Sequence, residues 1–151
     1  MGTSINVAGV TFANSDGENR QNILRNFGFG YRYAILKQTV FDGERAVEIW
    51  MDSKHIGYIP KKELDNPLSF SPILLAQICC NEENDMYYVV LSEPVYPSEY
   101  TIKKVQTFCD AYHYPMPSIM DERVFAQYPY MCCNDVYDDT YSFKRTGVLA
   151  T

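Results

Sequence analysis

The stretch RAVEIWMDSKHIGYIPKKEL, Arg45–Leu64, holds two alternating runs separated by turn chemistry. In Ala46–Met51, the residues Ala46, Glu48 and Trp50 alternate with Val47, Ile49 and Met51. That period of two belongs to a strand with one apolar face. Asp52-Ser53-Lys54 is a short polar turn leading into a second strand, His55–Ile59. Pro60 then sits where a helix can start, and Lys61–Leu64 would form it. Two strands joined by a tight turn make a hairpin, so the sheet that contains them is built by antiparallel succession.

Working outward, Tyr31–Val40 is a further strand, with Tyr31, Tyr33, Ile35 and Lys37 alternating against Arg32, Ala34 and Leu36. Phe41-Asp42-Gly43-Glu44 is the turn that joins it to Ala46–Met51. Ser4–Phe12 reads as a strand apolar on both faces, and so central. Asn14-Ser15-Asp16-Gly17 follows, where Ser15 or Asp16 would cap a helix running to Phe27. That helix places Ile23, Leu24 and Phe27 on its inward stripe and points Arg20, Asn22 and Arg25 elsewhere; Gly28 supplies the stop. On the C-terminal side, Asn66-Pro67 and Ser71-Pro72 break the chain. Ile73–Cys80 and Met86–Leu91 then pair across Asn81–Asp85. Six strands and two short helices give an α+β fold dominated by a small six-stranded antiparallel β-barrel of the OB or SH3 kind, over residues 1–96.

Residues 97–151 read differently. Thr101–Tyr112 suits a helix with Ile102, Val105 and Phe108 or Cys109 on its stripe. Beyond it, Pro115, Pro117, Pro129 and many tyrosines without a clean period predict an irregular extension. It would be packed on the barrel or offered to a partner.

A chain of 151 residues suits one domain, and 46% hydrophobic content excludes disorder of the whole. Net charge is −6, with 8 basic and 13 acidic residues in 1–100 and 5 and 6 in the remainder. That balance argues against tight non-specific nucleic-acid binding, while leaving room for a locally basic groove. No apolar run approaches the roughly 18 residues of a membrane span, and MGTSINVAGV lacks signal-peptide features. A cytoplasmic location and no membrane partner are the expectation. Five cysteines, an odd count with two adjacent pairs, fit reduced thiols.

No constellation points to catalysis or to a cofactor. Neither histidine, His55 or His113, lies in a nucleophile motif, and His55 reads as sitting in the predicted hairpin turn, in a solvated or capping role. Gly28-Phe29-Gly30 is a helix stop, not a phosphate loop. Cys109 and His113, with Cys132 and Cys133, form a weak zinc pattern. Buried free thiols are the alternative reading, because adjacent cysteines chelate one tetrahedral ion poorly.

Taken together, Gly9-Val10-Thr11-Phe12, Phe41-Asp42 followed by Ala46-Val47, and Gly57-Tyr58-Ile59-Pro60-Lys61-Lys62 resemble the HIRAN domain. This β-barrel module is found fused to DNA-remodelling helicases and as a stand-alone protein in bacteria. Asn14-x-Asp16-Gly17 with Arg20-Gln21-x-Ile23-Leu24 looks more like the stand-alone bacterial members. The resemblance spans residues 5–92 and implies a pocket that takes the 3′ end of single-stranded DNA. In it Thr11 and Phe12 would lie at the end of the first strand, with Phe12 stacking on a base. Phe41, Asp42 and Tyr58 would line the pocket, with Asp42 accepting from the sugar hydroxyl. Arg45, Lys61 and Lys62 would meet phosphates. Thr11 stands where helicase-linked members have arginine, Phe12 and Phe41 replace tyrosines, and Gly43-Glu44-Arg45 makes the loop one residue longer. Phe12 also reads as a core residue, and Trp50 and Tyr58 as barrel packing. The rival expectation is a protein-interaction module that uses the barrel or the tyrosine-rich extension, which the acidic balance favours.

Overall fold

A computed structural model of the chain describes residues 4–128. By contacts the chain divides into two compact units. Among the described residues, one holds 4–28 together with Arg32–Glu93; the other holds Phe29–Tyr31 and 94–128.

The first unit is α+β. Its strands are β1 (Ser4–Asn6), β2 (Gly30–Phe41, counted from Arg32 in this unit), β3 (Glu44–Met51), β4 (Lys54–Tyr58), β5 (Ile73–Asn81) and β6 (Met86–Ser92), with helix α1 (Arg20–Phe27) between β1 and β2. The strands form one sheet in the order β1-β6-β5-β2-β3-β4, and β1–β6, β5–β6, β2–β3 and β3–β4 pair antiparallel. The sheet curls into a half-barrel. Ala8, just beyond β1, exchanges two backbone hydrogen bonds with Tyr58 at the end of β4, at 2.8 and 2.9 Å. Gly57 makes this meeting sterically feasible, since a methyl there would run into the Ala8 carbonyl and stand 2.6 Å from Val7 Cγ1.

The two hairpins of β2–β4 turn on two residues each. Phe41 pairs with Glu44 and Met51 with Lys54, which leaves Asp42-Gly43 and Asp52-Ser53 as the loops. All four have positive φ, the requirement of the tight turn that matches strand twist. The Asp52-Ser53 loop is thus one residue shorter than the sequence suggested, and Lys54 belongs to β4.

Alternation places Val47, Ile49 and Met51 wholly inside, against Ala34, Leu36, Ile56 and Leu74. Each such aliphatic contributes about 1.5–3 kcal/mol by leaving water. The first predicted strand is cut short: after β1 and the Ala8 bridge the chain turns, with the Phe12 amide donating to the Gly9 carbonyl. Helix α1 is capped by Asn19, whose side chain accepts from the amides of Gln21 and Asn22, not by Ser15 or Asp16. Gly28 ends it as expected, at φ +82°. Arg20, expected to point outward, is buried, as is Gln21. Gln21 replaces a missing strand neighbour, bonding the Val10 carbonyl and both backbone groups of Tyr87.

In the second unit, α2 (Glu99–Tyr112) is capped by Ser98 and ends at His113, in the left-handed region at φ +61°. The irregular reading is corrected up to residue 128. A helix, α3, spans 122–128, and its Phe125 and Tyr128 pack with Val105 and Cys109. Buried Asp121 ties the unit together, accepting from the Val95 amide and from the Arg123 guanidinium. No helix among the described residues is long and apolar enough to cross a membrane.

Candidate functional site

The tip of the β2–β3 hairpin and the end of β4 enclose a cleft of about 270 Å³. Phe41, Asp42, Arg45, Tyr58 and Lys61 all line it, five of the eight residues named from sequence, together with Glu44. The tight turn at Asp42-Gly43 is what projects Phe41, which is 67% exposed. After Tyr58, Pro60 and a single 3-10 turn, Lys61–Glu63, set Lys61 on the opposite wall. That turn is too short to carry a helix dipole, so an anion here would meet the lysine side chains rather than a helix N-terminus. Lys61 Nζ stands 3.6 Å from a Glu44 carboxylate oxygen, both strongly exposed, a pair that holds little energy. Two carboxylates, Asp42 and Glu44, offset two cations, Arg45 and Lys61. The cleft is balanced in charge, not basic.

Arg45 is committed to its own chain. Its guanidinium donates to Gln38 Oε1 at 2.9 Å, the Leu64 carbonyl at 3.0 Å and Ser69 at 3.2 and 3.1 Å, and it lies over the Phe70 ring. A phosphate at Arg45 would have to break this network. Thr11, Phe12 and Lys62 are exposed and lie outside the lining of this cleft. Phe12 is nonetheless close. Its ring and that of Tyr58 both come within 3.7 Å of the point where a Gly9 side chain would begin. Being 67% exposed, Phe12 is not a core residue.

Sequence reasoning missed an aromatic array on the other side of Tyr58. His55 is not in a turn but on β4, directly opposite Trp50. The rings stack at 5.1 Å, with Lys37 Nζ 4.2 Å from the Trp50 ring centre. A bulge between Ile49 and Trp50 shifts the register, so Tyr58 comes round to meet His55 edge-on at 4.9 Å. Arg20, 5% exposed, lies over Tyr58 and donates to the Gly9 carbonyl and to Asn14 Oδ1, both at 2.8 Å. His55 Nε2 sits 2.9 Å from the Gly57 carbonyl, and Nδ1 sits 3.5 Å from Arg20 Nη2. The bonding assigns the neutral tautomer with its proton on Nε2. Burial first, and the Arg20 charge second, push the His55 ring below its ordinary value, against a smaller opposing pull from Glu48. Asn14, Arg20, Trp50, His55 and Tyr58 line a second cleft of about 370 Å³. The signal lay in turn length: once the hairpin loop is two residues, Trp50 must face His55.

The metal reading gains no assembly. Cys109 is buried, its thiol raised by burial and then by Asp110, and it donates to the Pro115 carbonyl. His113 forms the α2 cap, while Cys132 and Cys133 lie outside the described residues. Among the described residues no three ligating side chains gather. No protein-family description, curated protein or solved structure matches the chain.

Proposed function

We propose that the chain is a HIRAN-like, OB- or SH3-type module that holds the 3′ end of single-stranded DNA without catalysis. What carries the reading is the convergence of Phe41, Asp42, Tyr58 and Lys61 on one cleft. Rings stack a terminal base, a carboxylate accepts from the sugar hydroxyl, and an ammonium meets the adjoining phosphate. Phe12, beside Tyr58 across Gly9, offers a further ring. With Arg45 occupied, the phosphate contacts reduce to Lys61 and Lys62. Salt dependence is then shallow, with a slope of about −1.4 for two single-strand phosphates.

The test is fluorescence anisotropy with three ligands: a short strand bearing a free 3′ hydroxyl, the same strand 3′-phosphorylated, and blunt duplex. Each is measured at low and moderate salt. Preference for the free hydroxyl supports the reading. Absence of binding at about tens of micromolar and low salt, where even non-specific complexes form, refutes it. The protein-interaction reading then takes its place, favoured by Val95 and Tyr96 just ahead of α2 and Tyr100 in its first turn, all exposed.

A further inference from the structure

We propose that Arg20 and His55 form a proton-gated positioning pair. While His55 is neutral, Arg20 props Tyr58 and the Phe12 turn; protonation of His55 releases it. The inference rests on the reading of the Phe41–Tyr58–Lys61 cleft above and adds its regulation.

Two parts of the proposed binding region, the Phe12 turn and Tyr58, depend on one guanidinium. Arg20 fixes the Gly9 carbonyl, the same oxygen that closes the turn to the Phe12 amide. It lies over the Tyr58 ring, with its centre 5.5 Å from the ring centroid. It also bonds Asn14, whose side-chain amide in turn donates to the His55 carbonyl. Gly9, at φ +78°, is where Arg20, Phe12 and Tyr58 come together.

Among the described residues this guanidinium has no carboxylate partner; its remaining contact is the lone pair on His55 Nδ1. A second proton on His55 would replace that lone pair with an N–H, setting donor against donor and cation against cation at 3.5 Å. The other charges facing His55 do not relieve this. Lys37 on β2 adds a third cation, and Glu48 on β3, which also accepts from the Trp50 ring N–H, pulls the other way by less than Arg20 pushes. Lys54 on β4 shares the cleft but is paired with Glu18, and Asp16 caps the Glu18 amide. The imidazolium stays in place only if Arg20 withdraws, and with Arg20 go the supports of Phe12 and Tyr58.

Trp50 is the only tryptophan in the chain and stacks on His55, so its emission reports the gate without any ligand. In the full chain, emission falls as pH is lowered between about pH 8 and pH 5, with a midpoint below the ordinary histidine value. In His55→Gln, which keeps a donor for the Gly57 carbonyl, the transition is absent. Anisotropy with a 3′-hydroxyl strand weakens about fivefold or more across the same interval in the wild type and not in His55→Gln. Flat wild-type emission, or the same transition in His55→Gln, overturns the proposal. Should that variant fail to fold, NMR of the wild type decides. The His55 ring and Arg20 Nε resonances shift with one midpoint if the pair is coupled, and an unmoved Arg20 resonance overturns it. A strand that binds at no pH, while the Trp50 transition and Arg20 shift remain, removes the nucleic-acid reading and leaves the pair standing.

Discussion

Gly57→Ala tests the curl of the sheet at its tightest point. The added methyl would overlap the Ala8 carbonyl oxygen and lie 2.6 Å from Val7 Cγ1. The carbonyl cannot swing aside freely, because it accepts from the Tyr58 amide at 2.9 Å while the Ala8 amide donates back at 2.8 Å. Parting these segments loses one or two hydrogen bonds at about 0.5–1.5 kcal/mol each. Repacking Val7 adds about 1–3 kcal/mol. Restriction of the unfolded chain by alanine returns about 0.4–1 kcal/mol. The net loss centres on about 3 kcal/mol, a large share of the roughly 5–15 kcal/mol that stabilises a domain. Urea unfolding followed by Trp50 emission should show it as an earlier midpoint, and thermal melts as a fall of about 4–15 °C. Gly43→Ala is the control: at φ +75° with nothing within 4 Å, its cost is confined to about 1–2 kcal/mol of backbone strain. If Gly57→Ala unfolds within roughly 0.5 kcal/mol of the wild type, Ala8 and Tyr58 do not meet as described, and the cleft beside Tyr58 loses its wall.

Phe41→Ala, at an exposed hairpin tip, should leave stability within about 0.5 kcal/mol and weaken strand binding by about 1–3 kcal/mol; unchanged anisotropy would remove the ring from the site. Lys61→Ala should reduce the salt slope by about 0.7, the share of one single-strand phosphate, which a titration across salt concentrations reads directly. Arg45→Ala should behave in the opposite way, lowering the urea midpoint through the loss of its bonds to Leu64 and Ser69, worth about 1.5–3 kcal/mol; a normal midpoint with a shallower salt slope would instead place Arg45 on the ligand. Burial alone would raise the Asp121 carboxyl, but the Arg123 side chain and the Val95 and Arg123 amides outweigh it and hold the group below 3.8. Its stabilisation is therefore present above that pH and lost as pH falls through the folded value, a slope that acid unfolding should show in the wild type and not in Asp121→Asn.

The alternation of Val47, Ile49 and Met51 against Glu48 and Trp50 was readable because a strand with one buried face repeats every two residues. Gly28 as a helix stop was readable for a similarly local reason. Arg20 was not. A guanidinium reads as a surface group unless its acceptors are known, and Gly9 and Asn14 lie 11 and 6 residues away on a turn that the long predicted strand concealed. Arg45 failed in the reverse direction, since its acceptors Leu64 and Ser69 belong to chain that reads only as a helix start and a break. His55 was obscured by one residue of turn length, which reverses the face of everything after it. The pairing of cleft residues from the β2–β3 tip and the end of β4 was legible through resemblance alone.

The balance of charge in the cleft constrains what a ligand there can be. Counterion release from one or two lysines supplies little affinity, and the carboxylates of Asp42 and Glu44 would oppose any phosphate placed among them. Internal stretches of DNA or RNA offer a phosphate at every step and gain nothing from Asp42. A chain terminus differs: its hydroxyl donates to a carboxylate, and its last base has one face free for Phe41 or Tyr58. If the cleft holds a strand as proposed, the arrangement would favour an end over a length of strand, and a hydroxyl end over a phosphorylated one. This sign does not depend on how strong the binding is. Equal affinity for the two ends would mean that Asp42 does not touch the terminus, and the cleft would then be a stacking surface with no means of telling an end from a middle.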